Sequence, residues 1–321
     1  MQHYDTHIGP DIDTAQKFLE SEEVVGIPTE TVYGLAANAL NEEAVLKIFS
    51  TKGRPHFDPL IVHTFSKDEV KKYVETIPVK AEALMDKFMP GPLTILLRKK
   101  KTIPDLVTSG LDNVAIRIPN HPLTLQLLKQ LAFPLAAPSA NPFGYISPTT
   151  AQHVFDQLHG KIPYILDGGP SPIGVESTII GFENDEPVVY RLGGLSVEEI
   201  VQVVGKVTLN VNESSDPKSP GQLMSHYAPK TNLKIWEPGD SMEEFQKQKT
   251  GVIGFDRFIE GIDERNQILL SPQGSLNEAA RNLFAAMRKY DASDVDLILA
   301  IKFPEIGLGR AINDRLKRAS S

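Results

Sequence analysis

Along the whole chain, short apolar runs alternate with stretches whose apolar positions recur every three or four residues. The first pattern marks a buried strand and the second an amphipathic helix. Strands are expected at Val24–Pro28, Leu60–His63, Leu93–Leu97, Val114–Ile118, Pro134–Ala137, Ser177–Phe182 and Val188–Leu192. Ser66 with Glu69, and Ser196 with Glu199, carry the spacing of reciprocal capping boxes at helix starts. A further helix is capped by Asn41 and closed by Lys52-Gly53. Such alternation means α/β layering. Ser177–Phe182 and Val188–Leu192 follow one another with no helix between them, so the sheet should be mixed.

The pattern lapses over Asn210–Leu223, a polar stretch with prolines that reads as a linker. A second alternation follows: Leu233–Trp236, a helix opening at Ser241 with Glu244, Gly251–Phe255 and Ile268–Leu270. It ends with a helix opening at Ser275 with Glu278, then Val295–Ile301 and a last helix near Leu308–Ala319. This second part predicts a smaller, Rossmann-like α/β domain. A length of 321 residues accommodates two domains at ~150 residues each.

Composition narrows the picture chiefly by exclusion. No apolar run approaches the ~18 residues of a membrane-spanning helix, and the N-terminus has neither the basic region nor the apolar core of a leader peptide. A cytoplasmic protein with no membrane partner is therefore expected. The absence of cysteine removes disulfides, thiolate nucleophiles and thiolate metal sites. Through residue 210 there are 18 basic against 25 acidic side chains, and 15 against 16 beyond it, so neither part has the basic excess of a dedicated nucleic-acid binder.

The common nucleotide motifs fail. Gly169–Gly174 has P-loop spacing, but Val175-Glu176 stands where Lys-Ser/Thr is required, and Gly307-Leu-Gly309 starts a dinucleotide fingerprint that Ile312 breaks. His3 and His7 are spaced like metal ligands, yet lie in a terminus expected to be irregular and without partners, so no metal site is expected. What remains is a series of polar clusters at the ends of expected strands. Pro28–Leu35 (PTETVYGL) brings hydroxyls and a carboxylate. Lys52-Gly-Arg54-Pro55 brings cations that suit either a helix C-terminus or a bound anion. Arg117 lies inside an otherwise buried strand, where it needs an anionic partner, either a structural carboxylate or a ligand. Ser139 and Asn141 sit in a proline-bounded loop of small residues, and Ser177, Thr178 and Arg191 repeat the theme. Lys, Arg, Ser, Asn and Thr without a catalytic dyad suggest binding and charge stabilisation.

Read together, PTETVYGLA, KGRP…PLIVH, PGPLTILL, VAIRIP, APSANPFG…SPTTA, LDGG…GVESTII and RLGG resemble, in order, the YrdC/Sua5 family of threonylcarbamoyl-AMP synthases. Ser219–Pro229 (SPGQLMSHYAP) is similar to the linker of the long, Sua5-type members, although Gln222 departs from the methionine more usual there. Gly307–Leu316 is similar to the end of their C-terminal domain. The resemblance implies a YrdC-like twisted, open, mixed sheet with flanking helices over residues 1–208, a linker or lid over 209–230, and the smaller domain over 231–321. It also implies a nucleotidyltransferase reaction: L-threonine, bicarbonate or CO2, and ATP with Mg2+ give threonylcarbamoyl-AMP and pyrophosphate. No tightly bound organic cofactor is implied. The product would go to a tRNA threonylcarbamoyltransferase for t6A modification of tRNA, which makes a direct tRNA contact a further expectation.

By motif position the catalytic set falls on Lys52, Arg54, Ser139 and Asn141. Threonine contacts fall on Thr31, His63, Arg117, Ala137 and Ser177. ATP contacts fall on Arg54, Asp58, Asn113, Ser139, Ser147, Arg191, His226 and Tyr227. The competing reading is an RNA-binding or ribosome-maturation module that uses the same basic concave face. A carbamoyl-transfer role, as in hydrogenase-maturation proteins, lacks the cysteines their zinc fingers require.

Overall fold

A computed structural model describes residues 3–211, 227–237, 240, 245 and 248–320. The chain forms β1 (His7–Gly9), α1 (Ile12–Glu20), β2 (Val25–Ile27), β3 (Gly34–Asn38), α2 (Glu42–Lys52) and β4 (Ile61–His63). It continues through α3 (Lys67–Tyr73), α4 (Val79–Phe88), β5 (Leu93–Arg98), α5 (Asp105–Thr108), β6 (Asn113–Arg117), α6 (Pro122–Gln130) and β7 (Leu135–Ala136). Then come α7 (Ala151–Leu158), β8 (Tyr164–Leu166), β9 (Thr178–Glu183), β10 (Glu186–Arg191), α8 (Val197–Val204) and β11 (Thr208–Leu209). Among the described residues these strands make an 11-stranded sheet in the order β1-β8-β2-β3-β7-β4-β6-β5-β9-β10-β11.

The sheet is mixed, as expected. The β9–β10 hairpin is antiparallel, β4 and β6 run parallel, and β5 runs antiparallel to β6 and parallel to β9. Its principal core joins the inward faces of β3, β5 and β6 to α2, α4 and α7, through residues such as Leu35, Ile48, Leu84, Ile95, Ile116 and Val154. The second domain holds β12 (Asn232–Ile235), β13 (Thr250–Gly254), β14 (Gln267–Leu269), α9 (Leu276–Asp291), β15 (Leu297–Ala300) and α10 (Gly309–Ala319). Its strands form an all-parallel sheet in the order β12-β15-β13-β14. Among the described residues no helix is long and apolar enough to cross a membrane.

Several expectations need correction. His7 does not lie in an irregular terminus: it opens β1, which pairs in parallel with β8. Strands β1, β3, β8 and β11 were not legible: β1 and β11 are short edge strands, β8 is an interior strand of only three residues, and β3 consists of Gly, Leu, Ala and Asn, most of which are weak strand formers. Among the described residues, only Ser196–Glu199 closes a full capping box. Ser66 and Ser275 cap through their hydroxyls, but the carboxylate of Glu69 turns to Lys72 at 2.5 Å and that of Glu278 to Ser271 at 2.5 Å. The first sheet ends at Leu209, one residue past the expected boundary at 208. The helix expected to open at Ser241 lies outside the described residues, as does most of the linker.

The two sheets share a cluster. Val32, Ile146 and Val175 of the first domain pack with Tyr227, Leu283 and Phe284 of the second part of the chain. Gly174 has φ +82°, and a Cβ there would stand 2.4 Å from Cα of Arg281, so the loop before β9 meets the α9 backbone directly.

Candidate active site

Strand register builds the site. His63 ends β4 opposite Arg117, the last residue of β6. Arg117 in turn faces Thr94 of β5. Leu93 faces Thr178 at the start of β9, and Arg191, which ends β10, faces Ile179. Side chains from widely separated parts of the sequence therefore form one row across the sheet, and the loops after β2 and β7 close over it.

Each loop is fixed by its own polar groups. Thr29 Oγ1 accepts from the N–H groups of Thr31 and Val32 at 3.2 Å and donates to the Val32 carbonyl at 2.6 Å. The Pro138–Ala140 segment runs beside β3, with Leu35 N–H on the Pro138 carbonyl and Ala140 N–H on the Tyr33 carbonyl. From α2, Lys52 Nζ donates to the carbonyls of Ser139 at 2.6 Å and Asn141 at 2.5 Å. Asn141 Nδ2 donates to the carbonyls of Pro142 and Tyr145 at 2.8 Å. Lys52 and Asn141 therefore hold the serine loop from behind and do not line the pocket. Burial drives the Lys52 pKa well down, and the neighbouring Arg54 adds to the effect.

The pocket is lined by Thr31, His63, Arg117, Ala137 and Ser177, the residues expected at the threonine end, and by Arg54, Ser139, Arg191 and Tyr227 from the ATP set. Arg54 donates through Nε to the Asp58 carbonyl at 3.1 Å and pairs with the Asp58 carboxylate at 2.8 Å, so Asp58 orients it. Arg191 donates to the carbonyl and hydroxyl of Ser177, both at 3.0 Å, and Ser177 Oγ lies 2.7 Å from Thr94 Oγ1. Burial lowers Arg191 to about 10. His63 is pushed down to about 3 by burial and by Arg117, and so stands neutral in the pocket wall.

Of the two alternatives the sequence left open for Arg117, the structure shows the structural carboxylate, while the side chain also reaches the pocket. It makes a buried ion pair with Glu30 at 2.6 Å and donates to Thr31 Oγ1 at 2.9 Å. Ser147 lies just behind the wall, donating to Glu176 at 2.5 Å. Asn113 is not gathered: it stands exposed at the start of β6, about 13 Å along the strand from Arg117. Tyr227 is buried at φ +68°, stacked on Phe284 at 5.7 Å between ring centroids. His226 lies outside the described residues.

Sequence reasoning missed Glu176 as part of the wall, and Arg315 behind it. Glu176 follows a failed P-loop spacing and reads there as a mismatch. Arg315 left a clearer signal: it shares the apolar stripe of α10 with Ala311, Ile312, Leu316 and Ala319, where a charge needs a buried partner.

Residues 17–193 match the family model for Sua5, YciO and YrdC proteins, described as "Telomere recombination". Residues 195–321 match the model described as "Threonylcarbamoyl-AMP synthase, C-terminal domain". The chain is 42% identical to a threonylcarbamoyl-AMP synthase of Pyrococcus abyssi, covering 96% of this chain and 94% of that one. It is 40% identical to the Bacillus subtilis enzyme of the same name, covering 97% and 93%. Among solved structures, P. abyssi Sua5 complexed with L-threonine superposes with a TM-score of 0.90 at 40% identity, over 98% of this chain and 96% of that one.

Proposed function

The chain belongs to the Sua5 family of threonylcarbamoyl-AMP synthases, and on that premise we propose that the pocket joins L-threonine, bicarbonate and ATP into threonylcarbamoyl-AMP with release of pyrophosphate. One observation carries the assignment of chemistry to this pocket: Arg54, Arg117 and Arg191 line it together with Ser139, Ser177 and a neutral His63. That set is suited to anionic reactants and needs no covalent nucleophile.

In the proposed sequence, the threonine amine captures CO2 with loss of a proton, or bicarbonate with loss of water, to give a carbamate, whose oxygen attacks the α-phosphorus of ATP as pyrophosphate departs. Arg117, with Thr31, Ser177, His63 and Ala137, is assigned to threonine, the guanidinium taking the carboxylate. Arg54 and Arg191, with Ser139, are assigned to the nucleotide, where fixed cations stabilise charge on the pentacoordinate phosphorus. Lys52 and Asn141 act by holding the Ser139 loop. Mg2+ enters with ATP as substrate. The nearby carboxylates of Glu30, Asp58 and Glu176 are engaged with Arg117, Arg54 and Arg315. Tyr227 covers the site, which matters because the carbamate and the mixed anhydride are both labile to water.

The product is proposed to pass, in the cytoplasm, to a tRNA threonylcarbamoyltransferase. A direct tRNA contact by this chain is the finer part of the proposal. Pyrophosphate release should require threonine, bicarbonate and ATP together. Equal release without threonine, or salt-sensitive RNA binding with no turnover, would return the chain to the binding-module reading.

A further inference from the structure

We propose that Arg315, carried on α10 of the C-terminal domain, is a positioning residue of the nucleotide pocket: it neutralises the wall carboxylate Glu176 and braces Tyr227, so that the pocket accepts a polyphosphate. The inference rests on the reading that this pocket takes ATP.

Glu176 is the feature that calls for explanation. It lines the pocket and is only 6% exposed. A carboxylate facing a bound triphosphate in a poorly solvated site opposes binding. Burial alone would raise its pKa, but Arg315, Arg191 and the Ser147 hydroxyl together hold it below its ordinary value, so it stays ionised. Its charge must therefore be balanced from the protein.

Arg315 supplies that balance from the other domain. It is fully buried, with Nε 2.8 Å from Glu176 Oε2, while Ser147 donates to Oε1 at 2.5 Å. The same guanidinium donates to the Leu192 carbonyl at 2.8 Å, next to Arg191, and lies 4.9 Å over the Tyr227 ring. Asp314 holds it from behind at 2.5 Å. One side chain therefore fixes the carboxylate, the end of β10 and the aromatic cover.

Docking of the domains does not rest on this contact alone. The shared apolar cluster, Arg288 on the Ile146 carbonyl, Tyr145 on Asp291, and the Arg310–Glu198 pair also hold the interface. Among these contacts, only that of Arg315 ends on a charged group of the pocket wall. The C-terminal domain thus completes the site.

The test measures ATP affinity of full-length variants by calorimetry, beside threonine affinity and thermal unfolding. Arg315→Met, which keeps the apolar stem, should weaken ATP binding about 10-fold or more, about 1.4 kcal/mol, and leave threonine affinity within about 3-fold. Adding Glu176→Gln should restore most of the ATP affinity, because the carboxylate that needed neutralising is gone. Arg310→Ala, the docking control, should bind ATP like the wild type. A folded Arg315→Met protein with wild-type ATP affinity, or a double variant that recovers nothing, would overturn the inference.

Should Arg315→Met fail to fold, Glu176→Gln alone decides. Tighter ATP binding supports the proposal, and a loss of about 10-fold or more overturns it by making Glu176 itself a ligand of the nucleotide or its metal. A wild type that binds ATP but releases no pyrophosphate refutes the proposed reaction while leaving this comparison of affinities readable.

Discussion

Arg117 combines two demands that a strand rarely meets at once. It is 3% exposed in the middle of the sheet, and it carries a charge that Glu30 neutralises from the β2–β3 loop, while Thr31 takes a second arm. Arg117→Ala would leave Glu30 buried and unpaired, a defect worth about 3–5 kcal/mol. We expect a large fall in the urea midpoint and, in the folded fraction, a rise in the threonine KM far exceeding that for ATP. Unchanged threonine KM would make the residue purely structural.

His63 yields a prediction of the opposite kind. Its folded pKa of about 3 lies below the ordinary 6.5, so the unfolded chain binds the proton first. Its contribution to stability is complete above pH 6.5 and is lost as pH falls towards 3, at up to about 1.4 kcal/mol per pH unit. His121 and His153 are shifted the same way, so the comparison must be with His63→Gln. Between pH 7 and pH 5 the wild type should lose about 2 kcal/mol more than that variant in urea unfolding.

At the scale of elements, the site is a consequence of register. His63, Arg117, Ser177 and Arg191 come from β4, β6, the residue before β9, and β10, and they meet because those strands are aligned at the same end. The loop preceding β9 has a second constraint, since Gly174 sits at φ +82° against the backbone of α9. Gly174→Ala adds both left-handed backbone strain and a steric clash, costing more than about 1 kcal/mol. It should speed hydrogen exchange in α9 while leaving β5 and β6 protected. Equal protection of α9 in both proteins would show that the loop gives way without loosening the interface.

For the whole molecule, the question is how far the first domain can act alone. No residue of the second domain belongs to its main core. A chain ending after Lys206 gives up only the edge strand β11 with the partly buried Val207 and Val211, so chains ending after Lys206 or after Lys230 should both fold. Either truncation uncovers Val32, Ile146 and Val175 and removes Arg315. Both should lose most pyrophosphate release, and the longer chain should retain more because it keeps Tyr227 on the pocket wall. Full activity in the shorter chain would leave the second domain without a part in catalysis.

The sequence by itself determined the α/β alternation, the two-domain division and most of the polar clusters, because apolar periodicity, caps and proline-bounded loops are local properties. Thr31, Arg54, Ser139, Ser177 and Arg191 stood out in such local clusters, whereas His63 was named only through the resemblance of the ordered blocks to the family. Tertiary structure alone decided which of the named residues face the pocket. Lys52 and Asn141 turn to carbonyls behind it, Asn113 stays at the far end of its strand, and Arg117 acquires Glu30. It also decided that Arg315, distant in sequence, neutralises Glu176. Such pairings depend on long-range packing, in which a buried charge takes whichever partner the fold brings within hydrogen-bonding distance, and no local pattern encodes that choice.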